Sequence, residues 1–485
     1  MGALVGAVNK KQENAAGTVI EMMHELTHRG KGGYGIATYD STKTSITFEE
    51  IKNINNCNSD IIIGHNLSCI MSRDKPQPVQ GEKFTIVFEG RLYPAPTIPG
   101  ENEAEKIAKK LGSKPLRNAE KILEKWGAYV FAIAQKDKII VGRDVFGTVP
   151  LYYGENEEVC AVASERKALW RIGIQKVQSF PPGQLAVINK EGFVFHKVDQ
   201  LHVPPKEKID METACRALYL LLLETNRKQL SDLNSVAVAF SGGVDSSVVA
   251  ALARDVGLDV QLISVGLENQ PEVMFTKQAA ESLDLPIHVQ TYTEKELEQT
   301  LPKALWLTEE PNPVSASIAV PFYWLAETAS KLEHPVLLAG QGADELFGGY
   351  QRYVTEYEKS GEVAVEQKLF FDVENAYSTN FQRDNHVCAY HGIELRLPFI
   401  NKDVIEFALR LPFKFKINST EDKLRKHILR RVAHDNFEIP KLLSDKPKKA
   451  VQYTTGVTKG LQHIAKENKM TLREYVEDAF KKVHC

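Results

Sequence analysis

The chain has 485 residues, 25% of them charged, and a formal net charge of −3. That length exceeds one hydrophobic core, so two or three domains are expected, and scattered basic residues at near-zero net charge exclude an electrostatic nucleic-acid footprint. No apolar run reaches the roughly 18 residues of a membrane span.

The N-terminus lacks the basic-then-apolar layout of a signal peptide. Met1-Gly2 fails as a myristoylation start because Gly6 stands where Ser or Thr is required. The six cysteines (Cys57, Cys69, Cys160, Cys215, Cys388 and Cys485) lie far apart with no Cys-x-x-Cys pair. Free thiols and a cytoplasmic location are expected.

In chain order, residues 1–198 carry short β-type runs: Ile61-Ile-Ile63, Phe84-Thr-Ile-Val-Phe88, Tyr129-Val-Phe-Ala-Ile133, Ile139-Ile-Val141 and Gln184-Leu-Ala-Val-Ile188. Gly, Asn and Asp clusters separate them, and helices are predicted over Glu103–Leu111 and Ala119–Trp126. The pattern reads as layered α+β with largely antiparallel sheets. Residues 201–209, with two prolines and several charges, read as a linker between a domain 1–200 and a domain 210–485.

Beyond the linker the rhythm changes. A helix over Met211–Leu230 precedes a strand at 236–240, a helix, a strand at Val260–Val265, a helix at 272–283 and a strand at Ile287–Val289. Pro335-Val-Leu-Leu-Ala339 reads as another buried strand, and the remainder from 350 as mostly helical. Strands alternating with helices predict a doubly wound parallel sheet with its ligand at the carboxyl ends of the strands.

The most informative segment is Ser241-Gly-Gly-Val-Asp-Ser-Ser247, entered from Val236-Ala-Val-Ala-Phe240 and followed by the helical run Val248-Val-Ala-Ala-Leu-Ala253. Strand, Gly-Ser loop and helix N-terminus together make an anion site, because unpaired N–H groups face the ligand. Asp245 would repel a phosphate unless a cation intervened, so Mg²⁺ bridging carboxylate and phosphate oxygens is expected. No lysine follows the glycines as in a Walker-type loop. A second acidic loop, Ala339-Gly-Gln-Gly-Ala-Asp-Glu345, ends in Phe347-Gly-Gly349 and places Asp344 where it could share that Mg²⁺.

Ser-Gly-Gly-x-Asp-Ser resembles the signature of ATP-pyrophosphatases, and with the second loop the chain resembles class-B asparagine synthetases. Further matches run in order: Arg143-Asp-Val-Phe-Gly-Thr-Val-Pro-Leu-Tyr-Tyr153, Ala163-Ser-Glu165, Phe180-Pro-Pro-Gly183, Ser264-Val-Gly-Leu267, His391-Gly-Ile-Glu-Leu-Arg-Leu-Pro-Phe399 and a helix around Lys423–Arg431. The resemblance implies an Ntn-type amidotransferase-like N-terminal domain and an α/β synthetase domain with a helical C-terminal part. It implies that Ser241, Gly242, Gly243, Asp245, Ser246 and Ser247 cradle pyrophosphate, with Mg²⁺ on Asp245 and Asp344. Phe240, Val265, Ala339 and Gly340 then border the nucleotide. Lys448 steadies charge on the adenylate and leaving pyrophosphate, with Lys449 as an alternative. ATP, aspartate and ammonia are the implied reactants, and a homodimer is one assembly state left open.

The chain also departs from the family. Glutamine-dependent members use a cysteine as the first residue after Met removal; here it is Gly2, with no side chain to attack. Glu89-Gly-Arg91 replaces Asn-Gly-Glu, and Leu67 stands near an expected arginine. The N-terminal domain is therefore expected to lack glutaminase activity. Gln341 occupies the position of a glutamate that helps deprotonate ammonia, and an amide cannot take that proton near neutral pH. On these grounds Gln341→Glu should restore a base. The leading reading is an ATP-dependent amide-forming ligase adenylating the β-carboxylate of aspartate. Adenylation of another carboxylate, use of another amine, and a silent nucleotide-binding scaffold remain alternatives.

Overall fold

A computed structural model describes residues 2–53, 57–203 and 205–484; Met1, Pro204 and Cys485, which entered the readings above, lie outside the described residues. The chain divides into two units, 1–200 and 201–485. No helix among the described residues is long and apolar enough to cross a membrane.

The first unit stacks two antiparallel sheets. The seven-stranded sheet is built around Ala3–Asn9, Ile61–Leu67 and Val159–Ala163; the six-stranded sheet around Thr85–Leu92, Gly127–Ala134 and Ile139–Arg143. Leu4, Val8, Ile63, Val87, Val130 and Val141 interdigitate between the sheets. On the outer face of the first sheet, the helix Ala16–Glu25 packs on Val5, Ala7 and Ile62. The helices Glu103–Leu111 and Pro115–Leu123 cover Ile86, Phe88, Phe131 and Ile133 on the other. Both faces of each sheet are thus covered, which is why these strands read as continuous apolar runs rather than alternating ones.

Two local rules set the helix positions. Asn102 and Glu105 form a reciprocal capping box that starts the first of those helices at Glu103. The second begins earlier than its apolar pattern suggests, at Pro115 rather than Ala119, since proline is preorganised for a first turn. It stops at Leu123, before Trp126, whose carbonyl already accepts from the Tyr93 N–H at 3.0 Å.

The second unit holds a five-stranded, all-parallel sheet. In spatial order its strands are Ile287–Tyr292, Asp259–Leu267, Ser235–Ala239, Val336–Leu338 and Glu394–Arg396. Consecutive strands leave Ser235–Ala239 first to one side and then to the other, so the topological switch lies at its carboxyl end. The residues just before this unit's first helix, Met211–Gln229, have no regular structure but are tied down. Lys206 Nζ donates to the Leu409 carbonyl and the Glu207 N–H to that of Arg410, each at 3.0 Å.

The part beyond 350 is mostly helical, as expected, and adds one strand, Glu394–Arg396. Three residues are too few for a period-2 signal, and tertiary pairing with Val336–Leu338 decides their state. Its anchor is Arg396, 1% exposed. The guanidinium pairs with Glu394 at 2.7 Å and Asp232 at 2.6 Å, and donates to the Gln229 carbonyl at 2.6 Å. Arg396→Ala strands two carboxylates in a poorly hydrated site, so a loss of about 3–5 kcal/mol is expected. Chemical denaturation of the full chain checks this; an unchanged unfolding midpoint contradicts it.

Candidate nucleotide and acid site

The last ladder bond of the central strand runs from the Phe240 N–H to the Ile263 carbonyl, at 2.9 Å. The chain then turns through Gly242, whose φ of +64° suits glycine, and Gly243 begins the helix Val244–Asp255. The Ser241 N–H donates to Ser246 Oγ at 3.3 Å, and that hydroxyl donates to the Gly243 carbonyl at 3.1 Å, closing the loop on itself. The helix starts at Val244, two residues earlier than the serine pair suggests, so Asp245 sits in its first turn. Phe240, Ser241, Asp245 and Ser246 line a cavity of 180 Å³. Gly242, Gly243 and the buried Ser247 shape the loop without lining it.

A second segment closes the opposite wall. Ala339, Gly340, Gln341 and Asp344 line the same cavity, as does Val265 from the neighbouring strand. A Cβ on Gly340 would stand 3.0 Å from Asp245 Cβ, so glycine lets the two loops meet. Asp344 and Glu345 belong to a short helix, Ala343–Phe347, rather than to a loop. Glu345 is turned away from the acids, accepting from Tyr350 Oη at 2.6 Å and Asn380 Nδ2 at 2.9 Å. Ile318, Phe322 and Leu325, from the helix Pro313–Lys331, supply the apolar wall.

Asp245 and Asp344 converge on two shared ammonium groups. Lys426 Nζ lies 2.6 and 2.7 Å from the two oxygens of Asp245 and 2.6 Å from Asp344 Oδ1. Lys448 Nζ lies 2.7 Å from Asp344 Oδ2 and 3.4 Å from Asp245 Oδ2. Burial works against the charge on Asp344, yet the two lysines outweigh it and hold the carboxyl far below its usual range. Burial likewise opposes the charge of Lys448, and the two acids overcome it and raise its pKa. Lys449 turns aside to pair with Glu272 at 2.5 Å, so Lys448 is the member of that basic run at the acids.

Lys426 is a site residue that sequence reasoning missed. It lies in the stretch read as helix around Lys423–Arg431, but the helix begins only at His427. Arg425 and Lys426 take positive φ, 57° and 55°, which turns the lysine inward to zero side-chain exposure. Gly349 makes room: a Cβ there would fall 2.2 Å from Lys426 Cε. In sequence, Lys426 is one cation in the solvated-looking run Lys423-Leu-Arg-Lys-His427.

Gln341 has an unexpected partner as well. Its Nε2 donates to Asp384 Oδ2 at 2.5 Å, while Asp384 Oδ1 accepts from Arg383 Nε at 2.8 Å. Arg383 Nη1 donates to the Thr379 carbonyl, and its Nη2 is buried without a hydrogen-bond partner. Arg383 also borders a larger space of 1380 Å³ that continues past Lys448.

In the first unit, the region around Gly2, Glu89 and Arg91 is filled by charge pairs. The Gly2 nitrogen donates to Glu89 Oε1 at 2.7 Å, and His65 Nε2 pairs with Glu89 Oε2 at 2.9 Å. Arg91 binds both oxygens of Asp74, at 2.5 and 2.8 Å. The remaining cavity, which Leu67 helps to line, is 30 Å³. A Cβ on Gly2 would lie 2.0 Å from the Asn66 carbonyl oxygen.

Comparison with known proteins agrees with this geometry. Residues 217–363 and 354–482 match the asparagine synthase family, and 65–171 match a glutamine amidotransferase domain. A putative glutamine-hydrolysing asparagine synthetase of Methanocaldococcus jannaschii is 29% identical, over 100% of this chain and 99% of its own length. Human asparagine synthetase is 25% identical over 89% of this chain and 82% of its own. The family match spans more than half the sequence: the chain belongs to the asparagine synthase family, whose members are ATP-dependent carbon–nitrogen ligases.

Proposed function

We propose that the chain adenylates the β-carboxylate of aspartate and passes the acyl group to free ammonia. The observation that carries this reading is the convergence of Asp245, Asp344 and Lys448 at the mouth of the Ser-Gly-Gly loop. A carboxylate oxygen attacks the α-phosphorus of ATP, the bond to the β-phosphate oxygen breaks and pyrophosphate leaves. Ammonia then attacks the acyl carbon and AMP departs.

The acids fit Mg²⁺. Their oxygens are the hard donors that Mg²⁺ takes, and Lys426 and Lys448 hold the same oxygens in this structure, with Asp344 Oδ1 2.6 Å from Lys426 Nζ. Among the described residues no group of three or more His, Cys, Asp or Glu converges, which suits an ion completed by substrate phosphates. Asp245 and Asp344 would hold it, and bound there it would neutralise the departing pyrophosphate. Lys448, with its side chain 22% exposed, is able to swing from the acids to phosphate, whereas Lys426 is locked. Arg383 Nη2, buried and unpartnered, suits the second carboxylate of an amino diacid.

A second reading, ligation of a bulkier carboxylate or amine, is favoured by the 1380 Å³ space beyond Lys448, far more than aspartate fills. Isotope exchange between pyrophosphate and ATP separates the readings. Exchange with aspartate supports the first, and exchange with another acid alone supports the second. None with any acid leaves a nucleotide-binding scaffold and refutes both.

Asp245→Asn and Asp344→Asn should each lower exchange by 10²-fold or more, since charge stabilisation of this kind is commonly worth ~3 kcal/mol. Near-normal exchange by a folded variant would remove these acids from the metal site.

The N-terminal unit is proposed to have no glutaminase activity, because charge pairs occupy the space around Gly2 and Glu89. Glutamine should yield no glutamate above a no-enzyme control. Gly2→Cys should not create the activity, because its Cβ has no room beside Asn66. Glutamate release by either protein refutes the assignment.

A further inference from the structure

The contact between Gln341 and Asp384 decides what position 341 offers to the reaction. Asp384 is fully buried in the first turn of the helix Gln382–Tyr390, and does not line the nucleotide cavity, whereas Gln341 does. A carboxylate only accepts hydrogen bonds, so Gln341 must turn its NH₂ group toward Asp384. The other end of a planar amide then faces away from Asp384.

We propose that Asp384 is a positioning residue that locks the Gln341 amide with its carbonyl oxygen toward the cavity, where it accepts a hydrogen bond from the attacking amine. This inference rests on the ligase reading above. Gln341 then orients the nitrogen lone pair at the acyl carbon without removing a proton. As the C–N bond forms and the bond to AMP breaks, the surplus proton on nitrogen passes to water.

Arg383 completes the lock. Its Nε holds the second Asp384 oxygen, and its Nη1 is fixed on the Thr379 carbonyl. Burial pushes the Asp384 carboxyl up, while the Arg383 charge and the bonds from Arg383 and Gln341 pull it back. An amide at 341 suits this neighbour better than an acid. Glutamate there would set two carboxylates in contact, each disfavouring the other's charge. The structure thus reverses the expectation that Gln341→Glu alone restores a base.

The test uses the full-length chain, with ammonia as the amine and the carboxylate that supports ATP–pyrophosphate exchange. Exchange and the KM for ammonia are measured for wild type, Asp384→Asn, Gln341→Glu and the double variant. In Asp384→Asn, the new side-chain oxygen stays on Arg383 and its NH₂ meets Gln341, which flips and presents a donor to the amine. The KM for ammonia should rise about tenfold or more, with the loss falling on amide formation rather than on exchange. Gln341→Glu alone should also yield less amide per AMP than wild type. The double variant should recover ammonia use, because the carboxylate now at position 341 accepts from the amide now at position 384 and again presents an oxygen.

An unchanged KM for ammonia in Asp384→Asn overturns the proposal, as does a double variant no better than Asp384→Asn. If Asp384→Asn does not fold, a gain in amide from Gln341→Glu alone overturns it and a loss supports it. Absence of exchange in the wild type with every acid sinks the ligase reading, and this proposal with it.

Discussion

The buried ammonium of Lys426 is the interaction on which the second unit's site depends. It joins three segments remote in sequence: the helix start carrying Asp245, the short helix carrying Asp344, and the irregular turn ahead of His427. Two carboxylates brought this close repel each other, and their charged forms are costly away from water. A cation locked between them offsets both penalties. Lys448 adds a second positive charge on the solvent side, in a segment without regular structure. Lys426 has no exposed side-chain surface, whereas the Lys448 side chain is 22% exposed. Glycines at 340 and 349 let the backbones approach closely enough for this arrangement.

The same electrostatic logic gives a different outcome in the first unit. There Gly2 has no space for a Cβ, and the surrounding acids and bases satisfy one another. Burial raises the Glu89 carboxyl, but His65 and Arg29 outweigh it and keep the group acidic. Each of these charges has a partner within the unit. The four-layer packing around them is intact, since it depends on apolar side chains from strands and helices rather than on the pocket.

Much of this was legible in the sequence, for local reasons. Two-face burial writes continuous apolar strands, and the capping box and glycine-rich turns mark where helices begin. The Ser-Gly-Gly loop is contiguous, so Ser241, Asp245 and Ser246, which line one cavity, could be named together from composition and flanks. Gln341 and Lys448 were found through the family resemblance, and Gly2 by its departure from it. Lengths were less secure: the helix at Pro115 and the strand at Glu394 were misjudged because a single proline, or pairing with a distant strand, sets their limits.

What the sequence determined by itself is the two-part organisation, the strand–glycine loop–helix unit at Ser241–Ser247, and which chemical groups are present. Tertiary structure alone decided which of them meet. Lys426 lies 181 residues from Asp245, and Asp384 lies 43 from Gln341. No periodicity or spacing encodes such pairs, since hydrogen bonds and Coulomb attraction act over a few ångströms in space, whatever the separation along the chain. In the sequence Lys426 is one cation among several and Gln341 only a lost base. In the folded unit the lysine becomes the keystone of the acids, and the amide acquires an orientation.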